Sequence, residues 1–139
     1  MYFSKTTILV LVAALPTVFG SPILEDRQNG VTCQTSSGSP KTGDVTAVIN
    51  QLKGQGGKCP QTNGEGSDCT TLVKHKSAAI TVCGGTEDTS DSSLCSDIAG
   101  FADQIQQTCV NGDTPDALVG GTYTISPSKR VEVIDTSSV

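Results

Sequence analysis

The sequence predicts an α+β fold, a small antiparallel sheet with two helices packed on one face, stapled by three disulfides. Three observations predict it. Two segments carry apolar residues at helical spacing. The segments between and after them are rich in β-branched residues at strand spacing. Six cysteines, an even number, all lie between Cys33 and Cys109 of a 139-residue chain. Helices and short strands alternating in this way bury their apolar faces most simply as a helix layer on a sheet.

The chain opens with one charge, Lys5, followed by the apolar run Ile8 to Leu15, then Pro16 and the small residues Gly20 and Ser21. Charge, short apolar core and small residues in that order make residues 1–20 a secretory signal peptide. The run is too short for a membrane span, which needs about 20 apolar residues. Residues 21–27 read either as a pro-segment, cut after Arg27 in Leu24-x-x-Arg27, or as an ordinary flexible leader. A cut there would leave Gln28 terminal and able to cyclise. Residues 28–139 then form a single disulfide-rich domain of ordinary size.

Residues 31–37 (Val-Thr-Cys-Gln-Thr-Ser-Ser) read as a strand, broken at Gly38-Ser39-Pro40. Ser39 or Thr42 is placed to cap a helix, with Pro40 suited to its first turn. Between Asp44 and Lys53, Val45, Val48, Ile49 and Leu52 repeat as one helical face. Asp44 and Lys53 complement the helix dipole, and Gly54 ends the helix. Residues 54–68 are a Gly-rich loop. Residues 70–83 read as a long strand or a tight hairpin turning near Lys76-Ser77, ended by Gly84-Gly85. An acidic polar loop covers 86–92. A second helix is expected over 93–110, with Cys95, Ile98, Phe101, Ala102, Ile105 and Cys109 on its apolar face. Residues 118–135 read as a hairpin, alternating at Tyr123 and Ile125, then at Val131 and Val133, before a frayed tail.

An even cysteine count in a small secreted chain implies three disulfides among Cys33, Cys59, Cys69, Cys83, Cys95 and Cys109. No C-x-x-C pair is present, which argues against both a zinc site and a redox motif; no metal or other cofactor is expected. Six cysteines allow 15 pairings. Cys95 and Cys109 lie about 21 Å apart on one helix, beyond the roughly 7 Å reach of a disulfide, which leaves 12. The second helix must therefore be tied at both ends to other elements. A Cys59–Cys69 bond could close the Gly-rich loop, although spacing alone does not select it.

The net charge is −5, with 9 Lys and Arg against 14 Asp and Glu and no Trp. Acidity argues against a nucleic-acid partner, and scarce aromatics argue against a sugar-stacking surface. His75, the only histidine, would have to serve any Ser-His-Asp triad, but no G-x-S-x-G elbow accompanies it; it reads as an exposed strand residue. Glu87, Asp88, Asp91, Asp97 and Asp103 could suggest a paired-carboxylate hydrolase, yet read as solvated surface. Lys74, Lys76, Lys129 and Arg130 would form a basic partner-binding patch if the two hairpins are adjacent; the alternative is charge protecting exposed strands.

The order of elements, with a secretion signal and six cysteines, resembles the fungal killer-toxin-like small secreted proteins. The resemblance is carried by Val31-Thr-Cys33, the Cys69 to Cys83 segment, the Cys95 to Cys109 helix and the Tyr123 to Val133 hairpin. It implies a non-enzymatic effector or cell-death elicitor that acts outside the cell, in the apoplast for a plant-associated fungus. Its partner would be an extracellular host or microbial protein or a cell-surface component. An antimicrobial killer-type toxin is the first alternative, and a small hydrolase or hydrolase inhibitor the second. The acidic charge departs from the strongly basic toxins of that group.

Overall fold

The structure is a computed structural model that describes Arg27–Gln28 and residues 30–63, 68–85 and 93–139. The expected signal peptide, residues 21–26 and the acidic loop with Glu87, Asp88 and Asp91 lie outside the described residues. Among those described, the elements run β1 (Arg27–Gln28), β2 (Val31–Cys33), α1 (Thr42–Gly54), β3 (Lys58–Cys59), β4 (Cys69–His75), β5 (Ala78–Gly84), β6 (Ser93–Leu94), α2 (Cys95–Cys109), β7 (Gly121–Ser126) and β8 (Lys129–Asp135).

Residues 70–83 resolve as the hairpin alternative, β4–β5, turning at Lys76-Ser77. The second hairpin, β7–β8, turns at Pro127-Ser128. The two hairpins join through β5 and β8, from Ala78↔Asp135 to Gly84↔Lys129. The main sheet has the order β1-β2-β7-β8-β5-β4, and each neighbouring pair is antiparallel. A separate two-stranded ladder pairs β3 with β6.

Register decides which side chains face the helices. Ile80↔Val133 and Val82↔Val131 put four buried aliphatic residues on one face of the two central strands. Against that face α1 buries Val45, Val48, Ile49 and Leu52, the four positions its spacing predicts. α2 buries Cys95, Ile98, Ala99, Ala102, Ile105 and Cys109. α1 lies over β4 and β5, α2 over β2, β7 and β8, and the two helices touch. Phe101 is only half-buried, because it sits at the border of the helical face and stacks on Tyr123 with ring centroids 4.4 Å apart. These are the only Phe or Tyr residues beyond position 27, so one stacked pair, worth about 1 kcal/mol beyond its buried area, joins α2 to β7.

Several local expectations are corrected. Neither Ser39 nor Thr42 caps α1; the cap residue is Lys41, without a side-chain bond. Ser39 instead accepts from the Ser36 amide at 2.9 Å, closing a turn that cuts the expected 31–37 strand to three residues. The second helix begins at Cys95, because Ser93–Leu94 is drawn into the ladder with β3. The C-terminal residues 136–138 form a 3-10 turn, where Thr136 donates its amide to Ser77 O at 3.0 Å and its hydroxyl to Lys76 O at 2.8 Å.

The three disulfides are Cys33–Cys109, Cys59–Cys95 and Cys69–Cys83, and no described cysteine is free. α2 is tied at its first and last residues, as its length requires. The Cys59–Cys69 closure does not form. The β3–β6 ladder and the Cys95 amide bonded to Gly57 O at 2.9 Å carry Cys59 to the start of α2, while Cys69 is the direct register partner of Cys83.

One polar contact fastens α1 to the first hairpin. Asp44 accepts from the Ser77 hydroxyl at 2.7 Å and the Ser77 amide at 3.2 Å. The hydroxyl bond chiefly holds the Asp44 carboxyl below its ordinary value of 3.8. A lowered folded pKa means that this stabilisation is complete above the unfolded value and is lost as pH falls through the folded one. Asp44→Ala is expected to lower stability by about 1 kcal/mol at pH 7, the part of a charged hydrogen bond that survives solvent screening. Urea unfolding of both proteins should show the gap closing as the pH falls below about 4.

Candidate functional site

The sheet face turned away from the helices carries a groove of about 530 Å³. Its floor follows from the same register. Thr81 and Glu132 are direct cross-strand partners that alternate with the helix-facing aliphatics, so both point to the open side. The Cys69–Cys83 pair lies beside them, and Thr71, opposite Thr81, extends the floor across β4.

One wall is the 61–63 segment, held by a buried glutamine. Gln61, 2% exposed, donates to Asp68 Oδ1 at 3.0 Å and accepts from the Asn63 amide. Next to it, the Thr62 amide donates to Thr70 Oγ1 at 2.8 Å, and Asn63 Nδ2 donates to Cys69 O at 3.3 Å. The opposite wall is Ile134 with the Ser138–Val139 tail. That tail follows a turn closed by Asp135, which accepts from the Ser137 amide at 2.8 Å; the Ser137 hydroxyl first, and then this amide, hold the Asp135 carboxyl below its usual range.

The charge in the groove is compensated. Arg130 Nε donates to Glu132 Oε1 at 2.7 Å, and Thr81 Oγ1 donates to Oε2 at 3.4 Å. The Glu132 side chain is only 18% exposed. The groove therefore offers hydroxyls, amide groups and one neutralised carboxylate over an apolar disulfide surface, which suits hydrogen-bonded recognition.

The predicted basic patch is corrected. The hairpins are adjacent, but their antiparallel register sends the two pairs of cations to opposite ends. Lys74 pairs across from Ala79 next to the Lys76 turn, whereas Arg130 and Lys129 lie across from Cys83 and Gly84. The five residue steps from Ala79 to Gly84 span about 17 Å. Lys129 is also buried, at 6% exposure, and Arg130 is engaged by Glu132. Of the four, Lys74 and Lys76 stay together as exposed cations.

His75 is half-buried at the end of β4, opposite Ala78, and does not line the groove. Asp97 is exposed on α2, and Asp103 accepts from Gln107 one turn along, consistent with solvated surface. The groove residues carried no sequence signal. Thr71, Thr81 and Glu132 read as ordinary strand positions, and only the pairing of distant strands collects them.

The fold and groove define a small disulfide-stapled α+β domain with a hydrogen-bonding cleft on its open sheet face. More particularly, the chain belongs to the DUF8794 family, a domain of unknown function, matched over residues 28–134. No curated protein and no solved structure matches it.

Proposed function

We propose that this chain is a secreted, non-enzymatic effector or cell-death elicitor that acts outside the cell by binding a host component through the groove over β4, β5 and β8. The observation that carries the reading is the pairing of all six cysteines into three bonds, two tying the ends of α2 to strands and one crossing the β4–β5 hairpin. That framework suits an oxidising, protease-rich surrounding, and the amino-terminal signal pattern supports export to it. The groove supplies the recognition surface: a walled cleft with converging hydroxyls and a carboxylate whose charge is already balanced.

A pull-down from host apoplastic fluid tests the reading, using the oxidised protein and a Thr71→Arg variant. Thr71 is half-buried on the groove floor, so a long cationic side chain there fills the cleft without entering the core. The wild type is expected to retain a partner that Thr71→Arg loses by at least tenfold. Equal capture by both proteins would move the contact surface elsewhere. Growth arrest of competing microbes, with no host response, would favour the toxin alternative.

A further inference from the structure

The floor of the groove brings together three groups whose spacing in the chain suggests no metal chemistry. One Sγ each from Cys69 and Cys83 and a carboxylate oxygen of Glu132 lie within 4.8 Å of one another. While the disulfide stands, its sulfurs are neutral and poor ligands. Reduction changes that chemistry and leaves the geometry in place. Cys69 and Cys83 are direct register partners in a hairpin with a two-residue turn, so the β4–β5 ladder keeps the two thiols opposed after the bond is cut. Glu132 stays on β8, which pairs with β5 along its whole length, and Arg130 holds its carboxylate. Cys33–Cys109 joins a strand to the end of a helix, and Cys59–Cys95 lies beside the two-residue β3–β6 ladder without its cysteines being register partners.

We propose that reduction of Cys69–Cys83 by a dithiol converts the groove floor into a two-thiolate, one-carboxylate site for zinc or a similarly thiophilic divalent cation. The electron balance is simple. The dithiol is oxidised to its own disulfide while Cys69 and Cys83 gain two electrons and two protons between them. Both protons leave when the cation binds. Two thiolates, one carboxylate, a divalent cation and the Arg130 guanidinium then sum to zero charge. Tetrahedral zinc holds sulfurs at about 2.3 Å and so about 3.8 Å from each other, a separation that rotation about the cysteine side chains reaches from a Cα–Cα distance of 4.0 Å. The fourth position faces the groove, where water or a ligand group can take it. Cys69 is half-buried on the groove floor, open to an attacking thiolate; Cys33 is half-buried outside the groove, and both cysteines of Cys59–Cys95 are buried.

Limited reduction of the full chain with dithiothreitol, removal of the reductant under nitrogen and titration with cobalt(II) test the proposal. Alkylation and peptide mapping should find the first free thiols at Cys69 and Cys83. A thiolate-to-cobalt charge-transfer band should appear at one equivalent and vanish when zinc displaces the cobalt. Glu132→Gln should weaken zinc at least tenfold. Cys69→Ala/Cys83→Ala should keep the wild-type circular dichroism and give no band. Absence of the band in protein reduced at this pair overturns the proposal. So does equal zinc affinity in Glu132→Gln, first reduction at another pair, or unfolding of the double alanine variant.

Discussion

Gly84→Ala is expected to be among the most damaging single methyl additions in this domain. Gly84 closes β5 with φ +76°, a conformation side chains resist, and a Cβ there would sit 1.7 Å from Ser128 O, inside the backbone of the neighbouring turn. The chain cannot yield easily. The Gly84 amide donates to Asp68 O at 2.7 Å, and the Gly85 amide donates to Ser128 O at 2.8 Å. Backbone strain and overpacking each cost about 1–3 kcal/mol, so a combined loss of about 3–5 kcal/mol is expected. That is a large share of the roughly 5–15 kcal/mol typical of a domain. Calorimetry should show a melting temperature lower by more than about 12 °C. A drop of less than about 4 °C would mean that the β5 end and the Pro127-Ser128 turn are not packed as described.

Removing Cys33–Cys109 is the second large effect. This bond closes the longest of the three loops, with a separation of 76 residues, against 36 for Cys59–Cys95 and 14 for Cys69–Cys83. In the chain-entropy account the three contribute about 4.5, 3.8 and 3 kcal/mol. The backbone also packs against this closure. Gly121 approaches it so nearly that a Cβ there would lie 3.3 Å from Cys109 Sγ and 2.6 Å from Thr32 O. Cys33→Ser/Cys109→Ser is expected to lose about 4 kcal/mol or more, measured by urea unfolding. The corresponding loss at Cys69/Cys83 should be smaller. The reverse order would show that local packing, and not loop length, sets the worth of these bonds.

The elements with strong period were legible from residues alone. Val45, Val48, Ile49 and Leu52 on α1, and Ile98, Ala102 and Ile105 on α2, fall on the faces their spacing predicts. So do Val131 and Val133 on β8. What escaped reading depends on contacts between distant segments. β1, β3 and β6 have two residues each, too few to show alternation. The Cys59–Cys95 bond depends on the β3–β6 ladder, and Cys69–Cys83 on a register that a residue count cannot fix. The separation of Lys74 and Lys76 from Lys129 and Arg130 has the same origin. Hairpin adjacency could be foreseen, whereas its direction came from the β5–β8 pairing. The groove belongs wholly to this second kind of information. Thr81 and Glu132 are 51 residues apart and meet only because β8 returns beside β5.

We propose above that the protein works from outside the cell through its open sheet face. Infiltration of the purified, oxidised protein into host leaves, beside the Thr71→Arg variant, tests it most directly. Cell death or altered immune signalling is expected with the wild type and little response to the variant, whose circular dichroism and disulfides should match the wild type. A response of equal strength to both proteins, or none to the wild type in any host tested, would contradict it.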